Sequence, residues 1–216
     1  MPVPHQHIID LINEGEHQQL DFKFEISDSK KIARSLVAFS NTDGGRLLIG
    51  VKDNGVIAGI RSDEEYYMMD AAANMYCKPP VNFSTQHWEI NGKSVLEVIV
   101  PQSENKPHAA PDKTGKYMVY VRVKDENRLA NRTLIKVWQQ QKKSKGVLLE
   151  FTAKEKRLLS FLEEHERISF TKIRKILRVS AYKAEDLLVK LISMNILAVD
   201  ITDKGIYYRL NFEGPE

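Results

Sequence analysis

A chain of 216 residues has room for one large domain or two small ones, and its charged and apolar fractions are those of a soluble globular protein. The single cysteine, Cys77, excludes a disulfide framework and a cysteine metal cluster, and no apolar run approaches the roughly 18–20 residues of a membrane span. A formal net charge of +3 is too mild to announce nucleic-acid binding by itself, so the placement of charge matters more than its sum. The opening Met-Pro-Val-Pro-His-Gln-His has no basic or apolar signal region, and a cytoplasmic protein is expected.

In chain order, His7 to Glu14 is predicted as a short amphipathic helix with Ile8, Leu11 and Ile12 on one side. Leu20 to Phe24 alternates apolar and polar residues, as a half-buried strand does. Ser27-Asp28-Ser29 offers N-cap oxygens to a helix whose apolar face is Ile32, Leu36 and Phe39. Asn41-Thr42-Asp43-Gly44-Gly45 stops that helix, since glycine takes the positive φ needed at a helix end. Leu47 to Val51 is a continuous apolar run, expected of a central strand covered on both faces. Asp53-Asn54-Gly55 then predicts a hairpin to Val56–Ile60. Acids at Asp63 to Glu65 open a helix that Pro79-Pro80 ends. Val81 to Ile90 and Ser94 to Val100 are strands joined at Asn91-Gly92, the strongest hairpin signal in the chain. Pro101 to Gly115 is a polar loop containing Lys106-Pro107-His108, and Tyr117 to Val123 reads as a last strand. Asn131-Arg132 leads into a helix through Trp138, which runs out into the basic run from Gln139.

Beyond that run the pattern changes. Thr152, Ser169 or Thr171, and Ser180 cap three helices, and two short strands flank Thr202-Asp203-Lys204-Gly205. Three helices followed by a hairpin is the order of a winged helix-turn-helix, whose third helix reads the major groove. From Lys136 to Lys183 there are 13 Lys and Arg against 5 Glu, a local net of +8. Lys142, Lys143, Lys145, Lys172, Arg174, Lys175, Arg178 and Lys183 are available to neutralise phosphates. A solvated helical face is the competing explanation, and Glu185 and Asp186 on the third helix would repel phosphate.

Three blocks resemble the Schlafen-type AlbA domain of bacterial regulators over residues 15–132. The first is Gly15-Glu16, four residues, then Asp21-Phe22-Lys23. The second is Ala38-Phe39-Ser40-Asn41-Thr42-Asp43-Gly44-Gly45 with Leu48-Ile49-Gly50-Val51-Lys52-Asp53-Asn54-Gly55. The third is Lys106-Pro107-His108 with Tyr120-Val121-Arg122-Val123. The resemblance implies a mixed α+β domain and nucleic-acid association. Some Schlafen members are also similar to metal-dependent RNA endonucleases. Their acidic cluster, carried over here, is Glu16, Asp21 and Asp53, holding Mg²⁺ or Mn²⁺ beside a scissile phosphate, with Lys23 stabilising developing charge. Two departures stand against it. Asp21 is one methylene shorter than the family's Glu, and Lys52 stands where many members place an acid, making it a candidate partner for those carboxylates. Gly44-Gly45 and Gly50 belong to no nucleotide fingerprint, so turn glycines are the simpler reading.

The expectation is therefore an α+β, mixed-sheet Schlafen AlbA-like domain at 1–138, a basic linker at 139–150, and a winged helix-turn-helix domain at 151–216. Its expected function is nucleic-acid binding, to DNA, as a homodimeric transcriptional regulator, with no membrane partner and no cofactor. The expected contacts are Lys23, Arg46, Arg122, Lys124, Arg128 and Arg132, then Arg174, Lys175, Tyr182, Lys183 and Lys204. The alternatives are a metal-dependent ribonuclease using Glu16, Asp21 and Asp53, and a protein-interaction adaptor.

Overall fold

A computed structural model of the chain describes residues 5–62, 64–142 and 152–211. It divides into two compact units, Met1–Ala130 and Asn131–Glu216. No helix among the described residues is long and apolar enough to cross a membrane.

The first unit is α+β. Its elements open with α1 (Gln6–Glu14), β1 (Leu20–Lys23), α2 (Ser29–Asn41), β2 (Gly45–Ile49) and α3 (Glu64–Met75). The hairpin β3 (Ser84–Ile90) and β4 (Lys93–Val100) follows, then the short β5 (Ala110–Pro111), β6 (Tyr117–Met118), β7 (Tyr120–Val123) and β8 (Glu126–Leu129). The mixed sheet has the order β1-β2-β4-β3, with β1 and β2 parallel and the other pairs antiparallel. The period-two alternation of a strand splits β2 between two cores. Leu47 and Ile49 join Leu36, Phe39, Met69 and Ala73 of α2 and α3, while Leu48 joins Ile8, Leu11 and Phe22 under α1. Central β2 is thus covered on both faces, as its unbroken apolar run requires.

Local signals set the ends of these elements. The Asp28 carboxylate accepts from Lys30 N–H at 2.8 Å and starts α2. Asn91 and Gly92 both have positive φ, which a two-residue hairpin between right-twisted strands needs. At Gly45 the demand is space: an added Cβ would lie 2.4 Å from the Phe39 ring. Three expectations change. The hairpin after Asp53-Asn54-Gly55 shrinks to a bridge between Val51 and Ile57, because Gly50 O accepts from Ala58 and Gly59 N–H instead. The last strand breaks at Val119 into β6 and β7. Strand β8, not anticipated, pairs with β7 across a turn in which Lys124 takes φ +57°.

The second unit comprises α4 (Arg132–Gln141), α5 (Ala153–Glu164), β9 (Ile168–Ser169), α6 (Phe170–Leu177), α7 (Ala181–Ser193), β10 (Leu197–Thr202) and β11 (Gly205–Leu210). Thr152, Ser169 and Ser180 cap α5, α6 and α7, and β9-β11-β10 form a small antiparallel sheet. Leu158, Ile173, Leu177, Leu188, Leu191 and Tyr208 make its core. The unit boundary lies at Ala130 rather than after Trp138, because α4 packs on α7 and Val137 enters this core. Of the expected linker, Gln139 to Gln141 finish α4, and residues 143–150, with Lys143 and Lys145, lie outside the described residues.

Candidate nucleic-acid interface

The first unit's cations are largely engaged. Arg122, on β7, is only 2% exposed. Its guanidinium donates to Asp21 Oδ1 at 3.2 Å and Asn127 Oδ1 at 3.1 Å, and lies 5.0 Å from the Phe39 ring centroid. The expectation that Arg122 touches a phosphate is therefore corrected, because its charged end is enclosed by the fold it holds together. Lys23 Nζ sits 2.9 Å from the other Asp21 oxygen, Oδ2. Arg46 Nε lies 3.0 Å from Glu97 Oε1, and Arg128 Nη2 lies 2.8 Å from Glu126. Lys124 is exposed in the β7–β8 turn, where its N–H donates to Gln18 Oε1.

Glu16 and Asp21 do come together. Glu16 Oε1 accepts from Phe22 N–H at 2.8 Å. Burial, and next the hydrogen-bonded contact with Asp21, push the Glu16 carboxyl above its ordinary value, against the pull of Phe22 N–H and Lys23. Asp53 stands in an exposed turn, and Lys52 lies over the Phe24 ring at 5.5 Å rather than beside a carboxylate. Both Asp21 oxygens face cations, and no group of three or more His, Cys, Asp or Glu able to hold a metal gathers among the described residues. A Mg²⁺ or Mn²⁺ ion takes several convergent oxygens, and here the Asp21 oxygens are engaged by Lys23 and Arg122.

The other motif residues brace the end of α2. Asn41 Nδ2 donates to the carbonyls of His108 and Tyr120, and Asn41 Oδ1 accepts from His108 N–H at 2.8 Å. The His108 ring spans Pro79 O at 2.9 Å and Ser103 Oγ at 2.7 Å. Thr42 Oγ1 accepts from Arg122 N–H, and Lys106 Nζ donates to Thr42 O. The second and third blocks are thus one hydrogen-bonded joint between α2 and β7.

The second unit presents its charge outward. Lys172, Arg174, Lys175 and Arg178 on and after α6, Tyr182 and Lys183 on α7, and Lys204 at the β10–β11 turn are all exposed. The two acids of α7 part company. Asp186 is exposed, but Glu185 is 5% exposed and turned onto α4, 2.7 Å from Lys136 Nζ and 3.5 Å from Arg132 Nε. Burial without such partners would be costly for a carboxylate. Arg132 keeps a largely exposed side chain. The reading of Glu185 as a phosphate-repelling surface acid is thereby corrected. Sequence reasoning also missed Glu97, 1% exposed, which takes Trp88 Nε1–H at 2.8 Å and His7 Nε2 at 3.1 Å. An acid inside Val95-Leu96-Glu97-Val98-Ile99-Val100 was the available signal.

Comparison with known proteins bears on both units. The PCI domain model matches residues 146–205. A search of curated proteins returns no significant match. Among solved structures, the DIP2311 protein of Corynebacterium diphtheriae is similar, with 17% identity and a TM-score of 0.47 over 88% of this chain. The chain spans 38% of DIP2311. The N-terminal domain of a DNA helicase RecG-related protein of Nitrosomonas europaea is 21% identical over 66% of this chain and 94% of its own, with a TM-score of 0.39. The family model described as Schlafen, AlbA_2 matches residues 16–131, more than half of the chain. With the bracing of α2 by the motif residues, this makes the chain a member of the Schlafen AlbA_2 family.

Proposed function

We propose that this protein binds nucleic acid, with duplex DNA as the partner and regulation of transcription as the role. In this reading the second unit is a winged helix: α7 is the reading helix, β10 and β11 are the wing, and α6 crosses the backbone. One observation carries it. Arg174, Lys175, Lys183 and Lys204 are exposed and make no ion pair among the described residues, while of the two acids of α7 only Asp186 is exposed and Glu185 is paired with Lys136 and Arg132 of α4. Positive charge without intramolecular partners is what counterion release requires. The family membership of the first unit agrees with the same class of partner. Two copies on paired half-sites are the expected assembly.

The test is anisotropy titration of the full chain on duplex DNA across salt. Four phosphate contacts per copy set a log–log slope of about −3.6 per bound copy. Arg174→Ala, Lys175→Ala and Lys183→Ala together should flatten it by about 2.7. No binding at low salt, or a slope the triple variant leaves unchanged, overturns the reading.

A further inference from the structure

A cleft of about 530 Å³ opens beside the first turn of α7. Phe170 and Ala181 give it apolar wall, Asn131 and Glu185 line its polar side, and Arg132 and Tyr182 border it. The volume falls in the range of small-ligand sites, roughly 300–1,000 Å³. Tyr182 is 69% exposed, so most of its ring meets solvent. Lys136 Nζ lies 5.5 Å from the ring centroid, and the Arg132 side chain is 79% exposed. Two cations and one carboxylate at this place leave a net positive site.

An open aromatic ring beside a positive cleft is chemically particular. Phosphate alone needs the cations and not the ring. An intact duplex hides the faces of its bases and shows only their edges in the grooves. A base face is offered only by a nucleotide outside the stack, and stacking on an aromatic side chain with a cation near the backbone is how unpaired bases are held.

We propose that this cleft takes one unpaired nucleotide of the bound nucleic acid, stacked on Tyr182 with its phosphate at Arg132. The proposal rests on the reading of the second unit as a nucleic-acid-binding module, and it narrows the ligand to a duplex carrying an unpaired overhang. Lys136 has two tasks here, neutralising Glu185 and holding positive charge at the Tyr182 ring.

The test compares the full chain on one blunt duplex and on the same duplex with a short single-stranded overhang, by anisotropy at fixed salt. The expected result is about tenfold tighter binding of the overhang, within the range for stacking one base. Tyr182→Phe keeps that ratio, and Tyr182→Ala brings it to one. Ala181→Trp, which fills the cleft from an exposed helix position, also abolishes it. Equal affinity of the unaltered protein for both duplexes overturns the cleft assignment and leaves duplex binding standing. A ratio that survives both Tyr182→Ala and Ala181→Trp overturns it too. Failure to bind either duplex removes the module reading as well, so the two failures are distinguishable.

Discussion

Replacing Arg122 by methionine tests whether this residue is core or interface. The substitution keeps a long side chain over Phe39 and removes the guanidinium from a place that is 2% exposed. Asp21, itself 4% exposed, loses its contact at 3.2 Å, and Asn127 Oδ1 loses a donor at 3.1 Å. Breaking a buried pair from one side typically costs about 3–5 kcal/mol. The lower end applies, because Lys23 stays 2.9 Å from Asp21 and the guanidinium's other bonds, to the carbonyls of His17 and Leu20, are long at 3.4 Å. A loss of about 3 kcal/mol corresponds to about 10 °C in Tm for a unit of this size. The two tryptophans make the assay clean. Trp88 lies in the first unit and Trp138 in the second, so urea denaturation in a Trp138→Phe background follows the first unit alone. Adding Asp21→Asn to Arg122→Met removes the carboxylate that Arg122 leaves behind, paired only with Lys23, and should recover about 1 kcal/mol of the loss. The salt slope of DNA binding by folded Arg122→Met should equal that of the unaltered protein. A stability loss below about 1 kcal/mol, or strictly additive substitutions, would refute the buried-anchor reasoning.

Glu16 gives a pH signature. Its carboxyl is raised above the ordinary 4.5, burial being the first cause and the contact with Asp21 the second. A raised folded-state value means stability fully present below the unfolded value and lost as pH rises through the folded one. The stability of the unaltered protein minus that of Glu16→Gln should therefore fall as pH climbs above 4.5, and a flat or rising difference in denaturation series would count against the coupling. Gly45→Ala would place a Cβ 2.4 Å from the Phe39 ring and 3.0 Å from Gln19 O. Overpacking of this kind costs about 1–3 kcal/mol, and a Phe39→Leu background should relieve part of it; fully additive effects in thermal melts would deny the contact.

Much of the first unit was legible because its signals are local. Apolar spacing marked α2, the unbroken run from Leu47 marked β2, and Asn91-Gly92 marked the β3–β4 turn. The β7–β8 hairpin escaped notice because its strands are four residues each and Lys124 turns without glycine. The helix from Arg132 carries no mark of which unit it joins, since an amphipathic face shows that a partner exists and not which one.

Charge was the harder matter, and the reason is physical. Glu185 and Asp186 are adjacent acids on one helix, and α4, some 50 residues earlier in the chain, decides that one is paired and the other exposed. Arg122 lies in an alternating strand at the position that reads as solvent-facing, yet Phe39 and Asp21 cover it from α2 and β1. The fate of an ionisable side chain depends on what packs over it, and that is set by chain topology rather than by its neighbours in sequence. Glu97 shows the exception. An acid within a buried apolar run must find donors or destabilise the fold, so its position alone demands the His7, Arg46 and Trp88 contacts without naming them. Lys172, Arg174, Lys175 and Arg178 show the opposite case: they sit on and just after α6, which turns Ile173 and Leu177 into the core, so these four charges face water and no packing has to satisfy them.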